Sequence, residues 1–95
     1  MSFFYGRWPY ALDEKRRVPI PPVFRKSLRV GIVTLTRDGD IRLYPDRGKL
    51  PFSEIYEVIT GRQGRIRIPS QIPFDLGKRV EWIGEGKYLE LARKN

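Results

Sequence analysis

The chain repeats itself. Sliding the sequence by 48 positions lays Arg17-Val18-Pro19-Ile20-Pro21 over Arg65-Ile66-Arg67-Ile68-Pro69; with no gap, Leu28 falls on Leu76, Ile32 on Val80, Leu35 on Ile83, Ile41 on Leu89 and Leu43 on Leu91. Identities are few, but the apolar positions agree from Arg17 through Leu43, which favours a true duplication. A unit of this size can hardly bury a core alone. Two such units, each offering one apolar face, solve the problem by packing together, so the chain reads as a single domain of two repeats, residues 1–48 and 49–95.

Each repeat has the same local pattern. An arginine opens a short alternating strand in which Val18 and Ile20 point one way and Arg17 the other; in the second copy Ile66 and Ile68 face inward while Arg65 and Arg67 face out. Pro21 and Pro69 end these strands, because a missing N–H breaks the ladder. A brief helix is expected over Val23–Leu28, and at most a turn over Ser70–Leu76, which carries Pro73. Strands follow at Gly31–Thr36 and Ile41–Tyr44 around Asp38-Gly39, a good hairpin signal. Val80–Ile83, Gly84-Glu85-Gly86 and Tyr88–Leu91 repeat that hairpin. A further strand precedes each copy, near Phe3–Arg7 and near Ile55–Thr60. Asp46–Ser53, with Pro51, is a connector too short to let the halves move apart. The fold class that follows is mainly β with short helices, a small β-barrel or paired sheet with pseudo-two-fold symmetry.

Composition narrows the function. With neither cysteine nor histidine among its 95 residues, the chain has no disulfide or thiolate metal site, and lacks the commonest metal ligand and the usual general base. No nucleophile–base pair or acid pair in an apolar setting stands out, so the chain reads as a non-enzyme with no cofactor and no metal. Nineteen Lys and Arg against eleven Asp and Glu leave a net charge of +8. That excess favours a polyanionic partner, most simply nucleic acid, over a basic surface that is merely solvated. Residues 1–50 carry eleven basic and five acidic side chains, residues 51–95 eight and six, which places the expected anion-facing surface in the first half. Met1–Tyr5 does not read as a signal peptide and no apolar run approaches membrane-spanning length. The expectation is a cytoplasmic, nucleoid-associated protein with no membrane partner.

The motifs resemble a known family. Phe4-Tyr5-Gly6, followed by Leu12-Asp13-Glu14-Lys15-Arg16-Arg17 and by Ile20-Pro21 and Phe24-Arg25, is similar to the opening of MraZ proteins, whose pattern is F-x-G, then L-D-x-K-G-R, then a strand ending in I-P and a short helix with F-R. Leu35–Gly39 with Leu43-Tyr44-Pro45 resembles the family's next hairpin, and Gln63–Pro69 its second motif. The resemblance covers most of the chain. It implies a double-psi or swapped-hairpin AbrB-like β-barrel made by two tandem pseudo-symmetric units. It also implies a bacterial transcriptional regulator that binds short repeated double-stranded DNA elements, and assembly into a homo-oligomer, commonly a ring. The family's D-x-x-x-R segments form its DNA face; carried over, these are Asp13, Lys15 and Arg17 in copy one and Gln63 and Arg65 in copy two. Three departures stand: Arg16 replaces the family glycine before the motif arginine, Gly61 replaces the second aspartate, and the helical segment between the copies shrinks to about Asp46–Ser53.

The expected DNA-binding residues are therefore Lys15, Arg16, Arg17, Gln63 and Arg65, with Asp13, Arg62 and Arg25 in support. Arginine suits this work because its planar fork grips a phosphate, or bridges guanine O6 and N7, with two parallel hydrogen bonds. Asp13 reads either as the group that holds the Arg17 guanidinium in place or as half of an ordinary surface ion pair. Arg25-Lys26 with Arg29, and Arg62, read either as phosphate contacts or as solvated charges. Phe3, Phe4, Tyr5, Trp8 and Tyr10 read as core and edge packing ahead of a base-stacking platform, and Trp82 as core. Three functions compete: a sequence-specific duplex-DNA regulator that represses by occupying a promoter, an RNA or single-strand binding β-barrel, and an AbrB-type antitoxin component. The second lacks an aromatic signature; the third lacks a tail to wrap a toxin, since four residues follow the last expected strand.

Overall fold

The computed structural model describes residues 4–36, 38–48, 50, 55–72 and 77–94. Among these residues the chain forms eight strands: β1 (Arg7–Ala11), β2 (Arg17–Pro19), β3 (Val30–Leu35), β4 (Ile41–Tyr44), β5 (Ile55–Ile59), β6 (Arg65–Arg67), β7 (Arg79–Gly84) and β8 (Leu89–Arg93). Six of them make an antiparallel sheet in the order β1-β7-β8-β4-β3-β5, while β2 and β6 pair with each other as a separate antiparallel ribbon. The protein is mainly β, as its alternating apolar runs require.

The topology follows the sequence offset closely. Arg7 and Ile55, Arg17 and Arg65, and Ile41 and Leu89 open strands at the spacing of the repeat itself. Under that correspondence the sheet order reads the same from either edge, and its central seam pairs Ile41 with Leu91 and Leu43 with Leu89. In the ribbon, Val18 lies opposite Ile66, its own counterpart in the second copy. One part of the ungapped overlay needs correction. Val30 and Arg79 open β3 and β7 one position out of step with the repeat, so Gly31 matches Val80 and Val33 matches Trp82, and Ile32 does not fall on Val80 nor Leu35 on Ile83. The cause is turn length: residues 36–40 join β3 to β4, one more than residues 85–88 between β7 and β8. A one-residue slip reverses every side chain in a strand; Val33, Val80 and Trp82 accordingly share the core, while Ile32 is buried outside it.

The core lies between the six-stranded sheet and the ribbon. Val33, Ile41, Leu43, Val80, Trp82, Leu89 and Leu91 fill it from the sheet; Val18, Ile20, Ile66 and Ile68 fill it from the ribbon side. Phe24 closes one end, in edge contact with Phe4 and with Trp8 at 4.9 Å between ring centroids in each case. Phe4, Trp8 and Tyr10 therefore pack in or on the core, and Tyr5 is exposed; Phe3 lies outside the described residues. Trp82 is fully buried, and its indole Nε1 donates to the Pro19 carbonyl at 2.8 Å. That bond fastens the ribbon to the sheet.

Two expectations are corrected. The first strand runs over Arg7–Ala11, not Phe3–Arg7, with Phe4 contributing only an isolated bridge to Gly86. Proline at position 9 is compatible with this because β1 is an edge strand paired only with β7, so the missing N–H interrupts no second ladder. The expected helix over Val23–Leu28 is reduced to a 3-10 turn at Pro22–Phe24, followed by a turn closed by the Leu28 N–H on the Phe24 carbonyl. Pro21 and Pro22 start it, but the segment is too short to propagate helix. Leu76 and much of the Asp46–Ser53 connector fall outside the described residues. Among those described, no helix is long and apolar enough to cross a membrane.

Replacing Trp82 by alanine should destabilise the protein by about 3–5 kcal/mol. Phenylalanine should cost less in packing, yet it leaves the Pro19 carbonyl unpaired, a loss of about 1–3 kcal/mol if water cannot reach it. Urea denaturation midpoints of the two variants against wild type measure both.

Candidate nucleic-acid interface

The ribbon has two unlike faces because a strand alternates. Val18 and Ile66 point into the core, so Arg17, Pro19, Arg65 and Arg67 emerge on the other side. The register sets Arg17 directly across from Arg67 and Pro19 across from Arg65. Like charges facing each other across an antiparallel pair are destabilising, so this face is costly unless something neutral or anionic intervenes.

Asp13 is the anionic group at this face, and it serves Arg17 and Arg65. Its Oδ1 accepts the backbone N–H of Lys15 at 2.9 Å and of Arg17 at 2.8 Å, which locks the 13–17 turn in the manner of an Asx turn. Its Oδ2 accepts Arg17 Nε at 2.7 Å and stands 3.6 Å from Arg65 Nη1. One carboxylate thus links the leading arginines of both halves. The Arg17 backbone N–H, more than any other contact, holds the Asp13 carboxyl below its ordinary range; partial burial opposes this, and the Arg17 guanidinium reinforces it. In the second half Gly61 stands where Asp13 does in the first, and backbone alone makes the same turn: Gly61 N–H donates to the Arg65 carbonyl, and Gly64 N–H to that of Gly61, each at 2.9 Å. Arg65 also donates to the Gln63 side-chain carbonyl.

The departure at Arg16 is accommodated without changing the turn. Arg16 adopts φ 61°, the left-handed conformation that Gly64 takes at φ 70° in the other half. For a residue with a side chain this costs roughly 1–2 kcal/mol. The Arg16 guanidinium donates to the Ile72 carbonyl at 3.0 Å, an offsetting contact with the other half of the chain.

Of the residues singled out from sequence, Asp13, Arg17 and Arg65 are brought together. Lys15 and Gln63 are exposed on the two flanking turns, and Arg16 is half-buried against Ile72. Arg62 and Arg25 are exposed at the end of the ribbon nearer Gly64, where Arg25 Nε donates to the Ile20 carbonyl at 3.1 Å. Arg67 is not among the residues that sequence points to. It is exposed opposite Arg17, and its Nε donates to the Lys15 carbonyl at 3.1 Å. The outward phase of Arg67 is readable in the alternation of β6, but its nearness to Arg17 depends on a pairing between strands from opposite halves of the chain. The surface so formed carries Lys15, Arg17, Arg65 and Arg67, with Asp13 paired to Arg17 and Arg65 and Glu14 exposed on the same turn. Among the described residues no cluster of acidic side chains is placed to hold a metal.

Comparison with known proteins points one way. No protein-family model matches the chain. It is 28% identical to the transcriptional regulator MraZ of Mycoplasmopsis synoviae, over 96% of this chain and 82% of that one. It is 30% identical to MraZ of Thermomicrobium roseum, over 93% of this chain and 80% of the relative, and 30% identical to an MraZ of Dehalococcoides mccartyi, over 88% and 61%. The first two alignments run to 120 and 113 positions, longer than this 95-residue chain, so those relatives carry insertions that it lacks. On this similarity along nearly its whole length, the chain belongs to the MraZ family.

Proposed function

We propose that the protein is a DNA-binding transcriptional regulator that recognises double-stranded DNA with the outer face of the β2–β6 ribbon. The observation that carries this reading is the juxtaposition of Arg17 and Arg65 on one Asp13 carboxylate. A structural ribbon gains nothing from gathering Arg17, Arg65 and Arg67 on one face, whereas a polyanion converts their repulsion into binding energy. A two-stranded ribbon fits the major groove, and guanidinium forks held at fixed spacing can bridge O6 and N7 of guanine. Lys15 and Gln63, on the turns at either side, add phosphate or base-edge contacts. Asp13 positions both arginines; facing the DNA itself, it would only repel. Arg67 joins the face as a fourth cation.

The relatives named above are called transcriptional regulators, a non-enzymatic role, and that supports the same assignment here. The domain arose, in this reading, by tandem duplication of a unit of residues 1–48 into 49–95, with one strand of each copy contributed to the ribbon. Repression follows from occupying a promoter, in the cytoplasm at the nucleoid, with copies of the chain assembling side by side on repeated sites. The main support for a single-strand alternative is a run of aromatic residues, and Phe4, Trp8 and Tyr10 are taken up by the core.

Duplex affinity should fall with salt at a log–log slope of about −0.9 per phosphate neutralised, and duplex should outcompete a single strand of equal length. A flat salt response, or equal competition, rules the reading out. On a duplex recovered by selection from random sequence, Arg17→Ala and Arg65→Ala should each cost about 1–3 kcal/mol of binding. Lys87→Ala, in the β7–β8 turn, should change it little. Equal losses across all three would mean diffuse attraction with no defined face.

Asp13→Asn tests the positioning role through pH. Because the folded carboxyl ionises below its ordinary range, its stabilising contribution is complete above the unfolded value of about pH 4 and is lost as pH falls through the lower, folded value. Wild type should therefore exceed the Asn variant in denaturation midpoint at neutral pH, and the two should converge in strong acid. A gap independent of pH would assign the effect to shape and not to charge.

A further inference from the structure

The ribbon ladder extends one pair beyond β2 and β6 at each end: Ile20 N–H donates to the Gly64 carbonyl at 2.7 Å, and Ile68 N–H to the Arg16 carbonyl at 2.9 Å. Each end opens onto a recess. The one at Gly64, about 340 Å³, is lined by Arg25, Arg29, Thr60, Gly61, Arg62 and Gly64. The one at Arg16, about 300 Å³, is lined by Glu14, Lys15, Arg16, Arg67, Ile68 and Ser70. They occupy corresponding places in the two halves but differ in charge. The Gly64 recess gathers three guanidiniums with no carboxylate in its wall; the Arg16 recess has Glu14, and its Arg16 is turned to the Ile72 carbonyl.

The Arg25 guanidinium in the wall of the Gly64 recess is held by the fold, while Arg29 and Arg62 are exposed at its rim. The Arg25 side chain lies where any side chain at position 64 would have to go, and from there its Nε reaches the Ile20 carbonyl. The Arg29 backbone is anchored beside the recess by its carbonyl, which accepts the Thr60 N–H at 2.9 Å. Arg62 sits on the Gly61–Gly64 turn, at a position occupied in the first half by Glu14. The Thr60 hydroxyl is already committed to the Leu28 carbonyl at 2.6 Å, and the Gly61 and Gly64 N–H groups to the Arg65 and Gly61 carbonyls, so what the recess offers a ligand is its cations. That is the chemistry of a phosphate seat: planar forks for the oxygens.

We propose that this recess takes a phosphodiester of the DNA backbone at one end of the ribbon, with Arg29 and Arg62 as its ligands and Arg25 as part of its wall. The proposal rests on the reading of the ribbon as the base-facing element. Five ladder pairs span about 14 Å at ~3.4 Å per residue, close to the ~12 Å width of the major groove. A ribbon lying across the groove brings its Gly64 end to the phosphates of one strand. The opposite end sets Glu14 among Lys15, Arg16 and Arg67 and turns Arg16 to the Ile72 carbonyl, so the clamp is stronger on the Gly64 side. It gives the protein a fixed orientation on its site, although the ribbon is close to two-fold symmetric.

Ethylation interference on a duplex selected from random sequence tests this, comparing wild type with the Arg29→Ala/Arg62→Ala double variant. Equal denaturation midpoints establish that both are folded. The double variant should become indifferent to ethylation at one phosphate position that blocks wild type, keep its sensitivity elsewhere, and lose about 0.9 from the salt slope. An unchanged interference pattern and slope overturns the seat while leaving the ribbon reading intact. Failure of wild type to bind any duplex overturns both, and so is a distinguishable result. Inorganic phosphate supplies the second arm. Saturable shifts of the Gly61 and Gly64 amide resonances at physiological phosphate, with an unchanged interference pattern, would assign the recess to free phosphate and reject the DNA backbone as its ligand.

Discussion

The antiparallel pairing of β2 with β6 is the constraint from which the rest of the molecule follows. Each strand has only three residues, and a ribbon so short is marginal by itself. It persists because its inner side chains belong to the core: Val18, Ile20, Ile66 and Ile68 are all at most 1% exposed. Burial of each contributes roughly 1.5–3 kcal/mol. Together that is comparable to the net stability of a whole small domain, about 5–15 kcal/mol. Neither half can form the ribbon without the other, so folding and construction of the cationic face are one event. The Trp82–Pro19 bond then fixes the ribbon's height above the sheet, and the turns at 12–16 and 60–64 lead into it from the two edge strands.

Near-symmetry of backbone carries an unsymmetric surface. Left-handed residues at 16 and 64, matching turn hydrogen bonds and equivalent ladder ends recur in both halves. The side chains on that frame differ: Asp13 against Gly61, Glu14 against Arg62, Arg16 against Gly64, Pro19 against Arg67. The backbone positions are constrained by packing and by the ladder, so they are alike; the outward side chains lie outside the core, where neither constraint fixes their identity. With glycine at position 61, one carboxylate serves both arginines: Asp13 reaches Arg17 and Arg65. Without it Arg65 would have no ionic partner among the described residues.

Much of this is legible in the sequence, for stated physical reasons. Alternation locates β4 and comes within a residue or two of β3, β5, β7 and β8, although Gly31–Thr34 of β3 is buried on both faces. Strands 48 positions apart pair with each other, β2 with β6 and β4 with β8. Three features are not legible. The strand at Arg7–Ala11 is hidden because Pro9 is tolerated at an edge, and edge status is a property of the sheet. The extra residue between β3 and β4 is hidden because apolar side chains flank the slip on both sides, so Ile32 over Val80 looks as good as Gly31 over Val80. The joint contact of Asp13 with Arg17 and Arg65 is half visible: the i,i+4 pair can be read locally, the reach across to the second copy cannot.

The charge distribution makes the same point about what a linear reading can locate. Eleven basic residues in the first half against eight in the second suggest an anion-facing surface in the first. The ribbon instead draws one strand from each half, and the arginines of its outer face come from both: Arg17 from the first, Arg65 and Arg67 from the second. Net charge by segment predicts a face only where a segment owns a face. Here the fold interleaves the segments, so what matters is the local ratio of cations to carboxylates on the ribbon and at its ends. By that measure the second half, poorer in total charge, supplies the larger share of the arginines on the outer face, and Arg62 joins Arg25 and Arg29 at its end.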